Sequence, residues 1–188
     1  DTGNARSDCI IIASINNDTK EVKLVSVYRD TLLNTEDDTY DKANSAYAVG
    51  GAEAAVNMLN RNLDLNIQDY VSVNFLAVAD VVDLLGGIDL DLTDEEVVHM
   101  NNYCVETSEI TGKKYKKIEP EVAGTYHLNG VQAVSYSRIR YTEGGDFQRT
   151  SRQRLVIEKI ADEAKKADLS TINKIIDAVF PEITTSFT

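Results

Sequence analysis

The residue order predicts an α/β layered domain built on a mixed β-sheet. Three observations lead there. Residues 9–15 form a nearly unbroken apolar, β-branched run, the pattern of a strand buried on both faces. Residues 70–92 read strand, helix, strand, an order that feeds a layered sheet. The length of 188 residues suits one domain, and 43% hydrophobic against 27% charged residues with two prolines excludes disordered, collagen-like and coiled-coil chains.

After the first run, Asn16-Asn17-Asp18 marks a turn and residues 21–28 a second strand. Residues 8–28 are therefore expected to form a hairpin that exits into Arg29-Asp30-Thr31, the kind of place where binding groups are carried. Residues 52–63 have helical apolar spacing, with Gly50-Gly51 at their start. Residues 70–75 alternate as a strand, residues 75–85 return to helical spacing until Gly86-Gly87, and residues 88–92 are a short strand alternating apolar with acidic. Residues 93–120 are polar, carry Lys113, Lys114, Lys116 and Lys117, and are expected to form an irregular, solvated excursion. Leu128-Asn129-Gly130 opens a short helix to Ser137, Gly144-Gly145 a longer one to Ala167, and residues 170–180 a closing amphipathic helix. Residues 1–188 are read as a single domain.

The formal net charge is −12, which repels polyanions and argues against nonspecific nucleic-acid binding. Cys9 and Cys104 permit one disulfide without requiring it, and their spacing is not that of a zinc site. No run reaches the ~18 apolar residues that a membrane-spanning helix needs. The sequence starts at Asp1 without a methionine, so an anchoring or targeting segment could precede it.

Against that acidic background, five of the eight arginines fall between Arg138 and Arg154, accompanied only by Glu143 and Asp146. Arg138 and Arg140 share a face if extended, and Arg149, Arg152 and Gln153 share a helical face that continues into Val156, Ile160 and Ala164. A helix whose inward stripe begins with arginines must find anions there, from carboxylates or from a ligand. Guanidinium forks match phosphate oxygens, and a helix N-terminus adds partial positive charge, so a phosphate or pyrophosphate ligand fits. Surface pairing with the surplus acids is the competing reading for any single arginine.

Asp1 and Asp8 are candidate magnesium ligands, because that ion takes carboxylate oxygens together with substrate phosphates. Asp146 precedes the arginine helix and reads as an N-cap, an arginine partner or a proton acceptor. Asp1-Thr2-Gly3 has the form of the aspartic-protease triplet, but those enzymes need two and the sequence holds one. His99 and His127 lack metal-site spacing and are read as residues without chemistry, and no phosphate-binding glycine loop or nucleophile elbow occurs.

Eight strings in order resemble the LytR-CpsA-Psr family. They are Asp1-Thr2-Gly3, Arg6-Ser7-Asp8, Val27-Tyr28-Arg29-Asp30-Thr31, Lys42-Ala43-Asn44-Ser45-Ala46-Tyr47, Leu84-Leu85-Gly86-Gly87-Ile88-Asp89, Leu128-Asn129-Gly130, Ser137-Arg138-Ile139-Arg140-Tyr141 and Gly145-Asp146-Phe147-Gln148-Arg149-Thr150. Gln148 departs from the pattern, standing where the family often has glycine. The resemblance implies an α/β/α sandwich with helices on both faces of a mixed central sheet. It further implies a Gram-positive envelope protein with an N-terminal membrane helix absent from this chain and an extracytoplasmic catalytic domain. Such proteins move a teichoic acid or capsular polysaccharide from a polyprenyl pyrophosphate carrier to peptidoglycan. The family's older designation as transcriptional regulators sits badly with the acidic charge.

By that resemblance Asp1 and Asp8 would hold Mg2+, and Arg6, Arg29, Lys42, Arg138, Arg140, Arg149, Arg152 and Gln153 would grip the pyrophosphate. Arg29, Arg138, Arg140 and Asp146 would act in catalysis, Asp146 by orienting an arginine or assisting the acceptor hydroxyl. Val71, Val73, Phe75, Val78 and Val82 are candidates for an apolar slot that takes the polyprenyl tail, with ordinary core packing as the alternative. Carrier binding without transfer and hydrolysis by water remain open as rival activities.

Overall fold

The computed structural model describes residues 6–142 and 144–187. The chain divides into two compact units, one of residues 1–72 and 185–188 and the other of residues 73–184. The expected α/β composition is present: six α-helices and eight strands among the described residues, the strands pairing as four two-stranded ladders.

In the first unit, β1 (Ile11–Ile15) and β2 (Val22–Ser26) form the expected antiparallel hairpin, in register from Ile11 opposite Ser26 to Ile15 opposite Val22. Asn16 makes its turn, with Oδ1 accepting from the amides of Asp18 and Thr19. The expectation of a strand buried on both faces does not hold, because Ala13, Ser14 and Ile15 are exposed. A second hairpin, β3 (Leu32–Glu36) with β4 (Thr39–Lys42), follows where no strand pattern is expected, since β4 is exposed throughout. Its turn puts Asp37 and Asp38 at φ 34° and 64°, the left-handed pair a tight hairpin needs.

α1 (Ala43–Leu63) starts nine residues before its expected place and bends at Gly50-Gly51, where Gly51 has φ 67°. Its buried residues Ala43, Ala46, Met58 and Leu59 pack with Ile10, Ile12, Val27, Leu33 and Ile67 as the core of this unit. Asn62 ties the helix to β3, accepting from Asn34 N–H at 3.0 Å and donating to Asn34 C=O at 2.8 Å. β5 (Val71–Val73) follows and pairs with β8 (Ile183–Thr185), the last strand of the chain.

In the second unit α2 (Phe75–Leu84) is capped by Asn74, whose side chain accepts from Ala77 N–H at 2.8 Å. β6 (Ile88–Leu92) alternates as expected, burying Ile88, Leu90 and Leu92 and exposing Asp89 and Asp91. Residues 93–120 are not the irregular excursion expected of them, because α3 (Asp94–Thr111) occupies most of the stretch. Thr93 and Glu96 form a complete capping box at its start. Its buried stripe includes Asn101, Thr107 and Thr111 beside Val97, Met100 and Cys104, which blunts the apolar periodicity. Lys113 is an anchor there, its ammonium 2.7 Å from both Asp80 and Asp83 of α2.

β7 (Gly124–Leu128) pairs antiparallel with β6, and α4 (Gly130–Arg138), α5 (Gly145–Lys166) and α6 (Leu169–Val179) follow within a residue or two of their expected bounds. The core joins Val82, Ile88, Leu90, Val97, Met100, Leu128, Val131, Ile139 and Val156. Cys104 lies in it, its thiol pushed up to about 11 by burial, while Cys9 is exposed, and neither forms a disulfide.

His127 on β7 faces Asp89 on β6, with Nδ1 2.7 Å from Oδ1 and Nε2 2.6 Å from Gly86 C=O. Asp89 above all raises its pKa. The charged ring is thus favoured in the fold, so its stabilisation is complete below the unfolded value of about 6.5 and disappears as pH rises through the higher folded value. A His127→Gln variant is expected to melt below the wild type in mildly acidic buffer, with the gap closing as pH rises. Melting curves across that range check it.

Candidate functional site

Cationic side chains gather in each unit. In the first, the loop leaving β2 folds back on the start of α1: the amides of Ala43 and Asn44, which have no partner inside the helix, donate to Thr31 C=O at 2.8 Å and Arg29 C=O at 3.0 Å. Arg29 is thereby fixed beside Asp8, with Nη1 2.8 Å from Oδ1, and Nε lies 3.5 Å from Asp30. Lys42, the last residue before α1, pairs with Asp30 at 2.7 Å. The Lys42 ammonium, with Arg29 adding to it, holds the Asp30 carboxyl below its ordinary range. Arg6 is exposed and contributes to lowering the pKa of Asp41, after the stronger effect of the Lys42 amide.

Three buried polar atoms in this cluster make no hydrogen bond among the described residues: Ser7 Oγ, Arg29 Nε and Asn44 Oδ1. Buried polar groups are nearly always satisfied, so such atoms mark where a polar ligand or water completes the site. Asp8 offers carboxylate oxygens of the hard kind magnesium takes. Asp1, its expected partner, lies outside the described residues.

In the second unit the helical face expected of Arg149, Arg152 and Val156 forms on α5, whereas Arg138 and Arg140 do not share an extended face, because Arg138 is the last residue of α4. The buried side of α5 begins with Arg149, Thr150 and Arg152 before reaching Val156. Arg149 is 2% exposed, with Nη1 3.5 Å from Asp146 Oδ1 one turn earlier. Asp146 is therefore an arginine partner inside the first turn and not the N-cap, which is Gly144 at φ 91°. Gln148 is accommodated by that glycine, since a Cβ at Gly144 would come within 2.5 Å of Gln148 Cγ. Gln153 is half-buried.

Arg138 ends α4, where the helix C-terminus favours a cation. Its guanidinium lies 4.9 Å from the Phe75 ring centroid and 5.4 Å from that of Tyr103, pairs with Glu106 at 2.9 Å and donates to Thr107 Oγ1 at 3.0 Å. Ile139 next to it is fully buried and Arg140 beyond is exposed, so the two arginines flank a residue anchored in the core.

Arg152 is placed differently from its neighbours. Nε donates to Glu96 Oε1 at 2.8 Å, Nη2 to Thr142 Oγ1 at 2.7 Å and Nη1 to Ile139 C=O at 3.4 Å, with the side chain 6% exposed. Every nitrogen of its fork faces a protein acceptor. Glu96, Thr142, Glu106 and Tyr103 were not singled out by sequence, although the Thr93-x-x-Glu96 capping signature was there to be read.

Among the candidates for the tail, Val71 and Val73 are exposed on β5 and Val78 is half-buried on α2. Val82 is a member of the core, wholly buried, which is the ordinary packing alternative.

The LytR_cpsA_psr family model matches residues 1–188. The chain is 35% identical over 189 residues to the biofilm regulatory protein A of Streptococcus mutans, covering 96% of this chain and 44% of that protein. It is 32% identical over 190 residues to the polyisoprenyl-teichoic acid--peptidoglycan teichoic acid transferase TagU of Halalkalibacterium halodurans, covering 98% of this chain and 56% of that one. The chain spans about half the length of these curated relatives. Among solved structures, TagT bound to LI-WTA superposes with a TM-score of 0.77 at 26% identity, covering 100% of this chain and 66% of that one. The crystal structure of B. subtilis TagV gives 0.73 at 28% identity, covering 97% and 67%.

Proposed function

Because this chain belongs to the LytR_cpsA_psr family, we propose that it is a phosphotransferase that links a teichoic-acid or capsular type of glycopolymer to peptidoglycan from a polyprenyl pyrophosphate carrier. The observation that supports the reading is the buried guanidinium nitrogen Arg29 Nε, which with Ser7 Oγ and Asn44 Oδ1 makes no hydrogen bond among the described residues, beside Lys42 and inside a protein of net charge −12. Burying guanidinium groups costs too much unless they meet anions.

The reaction needs charge neutralisation and positioning more than covalent chemistry. A sugar hydroxyl of the acceptor attacks the phosphorus bonded to the glycopolymer. The bond from that phosphorus to the bridging oxygen breaks, and the bridging oxygen leaves with the polyprenyl phosphate. The hydroxyl proton passes to a base, for which Asp146 or water serves. Arg29, Arg138 and Arg140 are assigned to the charge that grows on the leaving phosphate, and Arg6, Lys42, Arg149 and Gln153 to holding the substrate. Asp146, 3.5 Å from Arg149, orients that arginine. Asp8 with Asp1 would hold magnesium, which when bound supplies further neutralisation of pyrophosphate charge.

Phe75 and Val78 of α2 and the exposed Val71 and Val73 are assigned to the polyprenyl tail. None of the helices among the described residues is long and apolar enough to cross a membrane. The family's N-terminal membrane helix would hold the protein at the extracytoplasmic face of a Gram-positive cell membrane, where carrier and peptidoglycan meet.

The test is incubation with a labelled polyprenyl pyrophosphate oligosaccharide, magnesium and peptidoglycan. The expected result is label attached to peptidoglycan with release of polyprenyl phosphate. Free phosphorylated oligosaccharide would make the protein a hydrolase, and retained carrier without product a binding module; either overturns the transferase.

A further inference from the structure

The segment that joins α4 to α5 carries Arg140 yet belongs to no helix or strand. Within it Ile139 N–H donates to Tyr136 C=O at 3.3 Å, and Gly145 N–H to Thr142 C=O at 3.1 Å. Arg152 also holds it, reaching from α5 to Ile139 C=O on one side of Arg140 and to Thr142 Oγ1 on the other, while the Ile139 side chain is buried in the core and the Tyr141 ring lies 6.3 Å from that of His99. Those two anchors sit one residue before and two residues after Arg140.

Arg152 is itself fixed by Glu96. That carboxylate closes the capping box of α3 with Oε2, which accepts from Thr93 N–H at 3.0 Å, and accepts from Arg152 Nε with Oε1 at 2.8 Å. The guanidinium is also 5.8 Å from the Tyr136 ring centroid. The Tyr136 hydroxyl is pushed up to about 12, chiefly by burial and then by Glu96, so it stays neutral beside the pair. One carboxylate thus joins the first turn of α3, the buried arginine of α5 and, through the arginine's planar fork, the loop after α4. A lysine cannot do this, because it has one nitrogen where the guanidinium has three in fixed geometry.

We propose that Glu96 and Arg152 are a positioning pair that holds residues 139–142 so that Arg140 is presented for the pyrophosphate. Arg152 then acts through the loop and leaves the set of direct ligands. The functional half of the proposal rests on the transferase reading. Misplacing a charged donor by about 1 Å is enough to cost much of its effect.

Two measurements test it on the full chain. Hydrogen exchange without ligand is expected to speed up in residues 139–142 for Glu96→Gln, for Arg152→Lys and for the milder Thr142→Val, while the α5 amides beyond Val156 keep their protection. Unchanged exchange in the loop would overturn the pair as its anchor, and acceleration spread over the whole unit would reduce the pair to general stability, equally against the proposal. The second measurement is affinity for geranylgeranyl pyrophosphate in a double-mutant cycle. Thr142→Val or Glu96→Gln is expected to weaken binding about tenfold, one charge-assisted contact, and to add less than about twofold once Arg140→Ala is present. Additive losses would overturn action through Arg140. If the wild type does not bind the probe while the loop still loosens in the variants, the anchoring stands and the transferase reading fails.

Discussion

Arg138→Ala is expected to lower kcat/KM for glycopolymer transfer by about 10²–10³-fold, the loss typical of removing one preorganised donor from a charged transition state. The substitution removes a guanidinium held between Phe75 and Tyr103 and bonded to Glu106 and Thr107. Glu106 is largely solvated, so its unpairing costs little, and the loss of the Thr107 contact costs about 1 kcal/mol. The variant, which also loses the two ring contacts, is expected to melt modestly below the wild type while transfer collapses. Arg138→Lys keeps the charge and is expected to recover part of the activity, since an ammonium cannot reproduce the bidentate fork. Kinetics with the labelled carrier, together with a melting curve, check both; activity within about threefold of wild type for the alanine variant would remove Arg138 from the reaction.

Gly130→Ala is expected to be the most damaging single methyl group in the protein. A Cβ at Gly130 would lie 2.2 Å from Ala79 C=O and 2.7 Å from its Cα, both backbone atoms of α2 that cannot rotate aside. Gly130 N–H also donates to Asp83 Oδ1 at 2.7 Å, so parting the helices to make room breaks that bond as well. Overpacking of this kind costs roughly 1–3 kcal/mol and more where backbone must move. Urea denaturation is expected to show a midpoint lowered accordingly, and a variant as stable as wild type would show that α2 and α4 can separate freely.

Much of the fold could be read from residue pattern because it obeys simple periods. β6 alternates strictly between core and solvent, and α5 shows its buried face from Arg149 to Val156, arginines included. The apolar period of α3 is blunted because three of its six buried positions are polar: Asn101 bonds to the backbone of Ile118, Thr111 donates to Thr107 C=O, and Thr107 Oγ1 accepts from Arg138. The second hairpin was hidden because β4 is exposed along its whole length and has no apolar stripe to announce it.

The same distinction governs the site. That Arg149 and Arg152 share a buried helical face is legible from their spacing alone. What Arg152 bonds to there is not, because its partner is Glu96, 56 residues earlier, in a stretch the pattern rendered as loop. The expected role of Asp146 as N-cap gave way for a local reason: Gly144 takes the left-handed capping position itself and places Asp146 in the first turn beside Arg149.

The carbonyls of Arg29 and Thr31 terminate α1 by receiving its first two amides. Residues 29–31 are thereby a fixed ruler: one residue inserted among them would strand two helix-terminal donors and shift the guanidinium away from Asp8 at once. Changes of chain length in this unit are consequently steered to the Asn16 and Asp37-Asp38 turns, where the exposed backbone can absorb them.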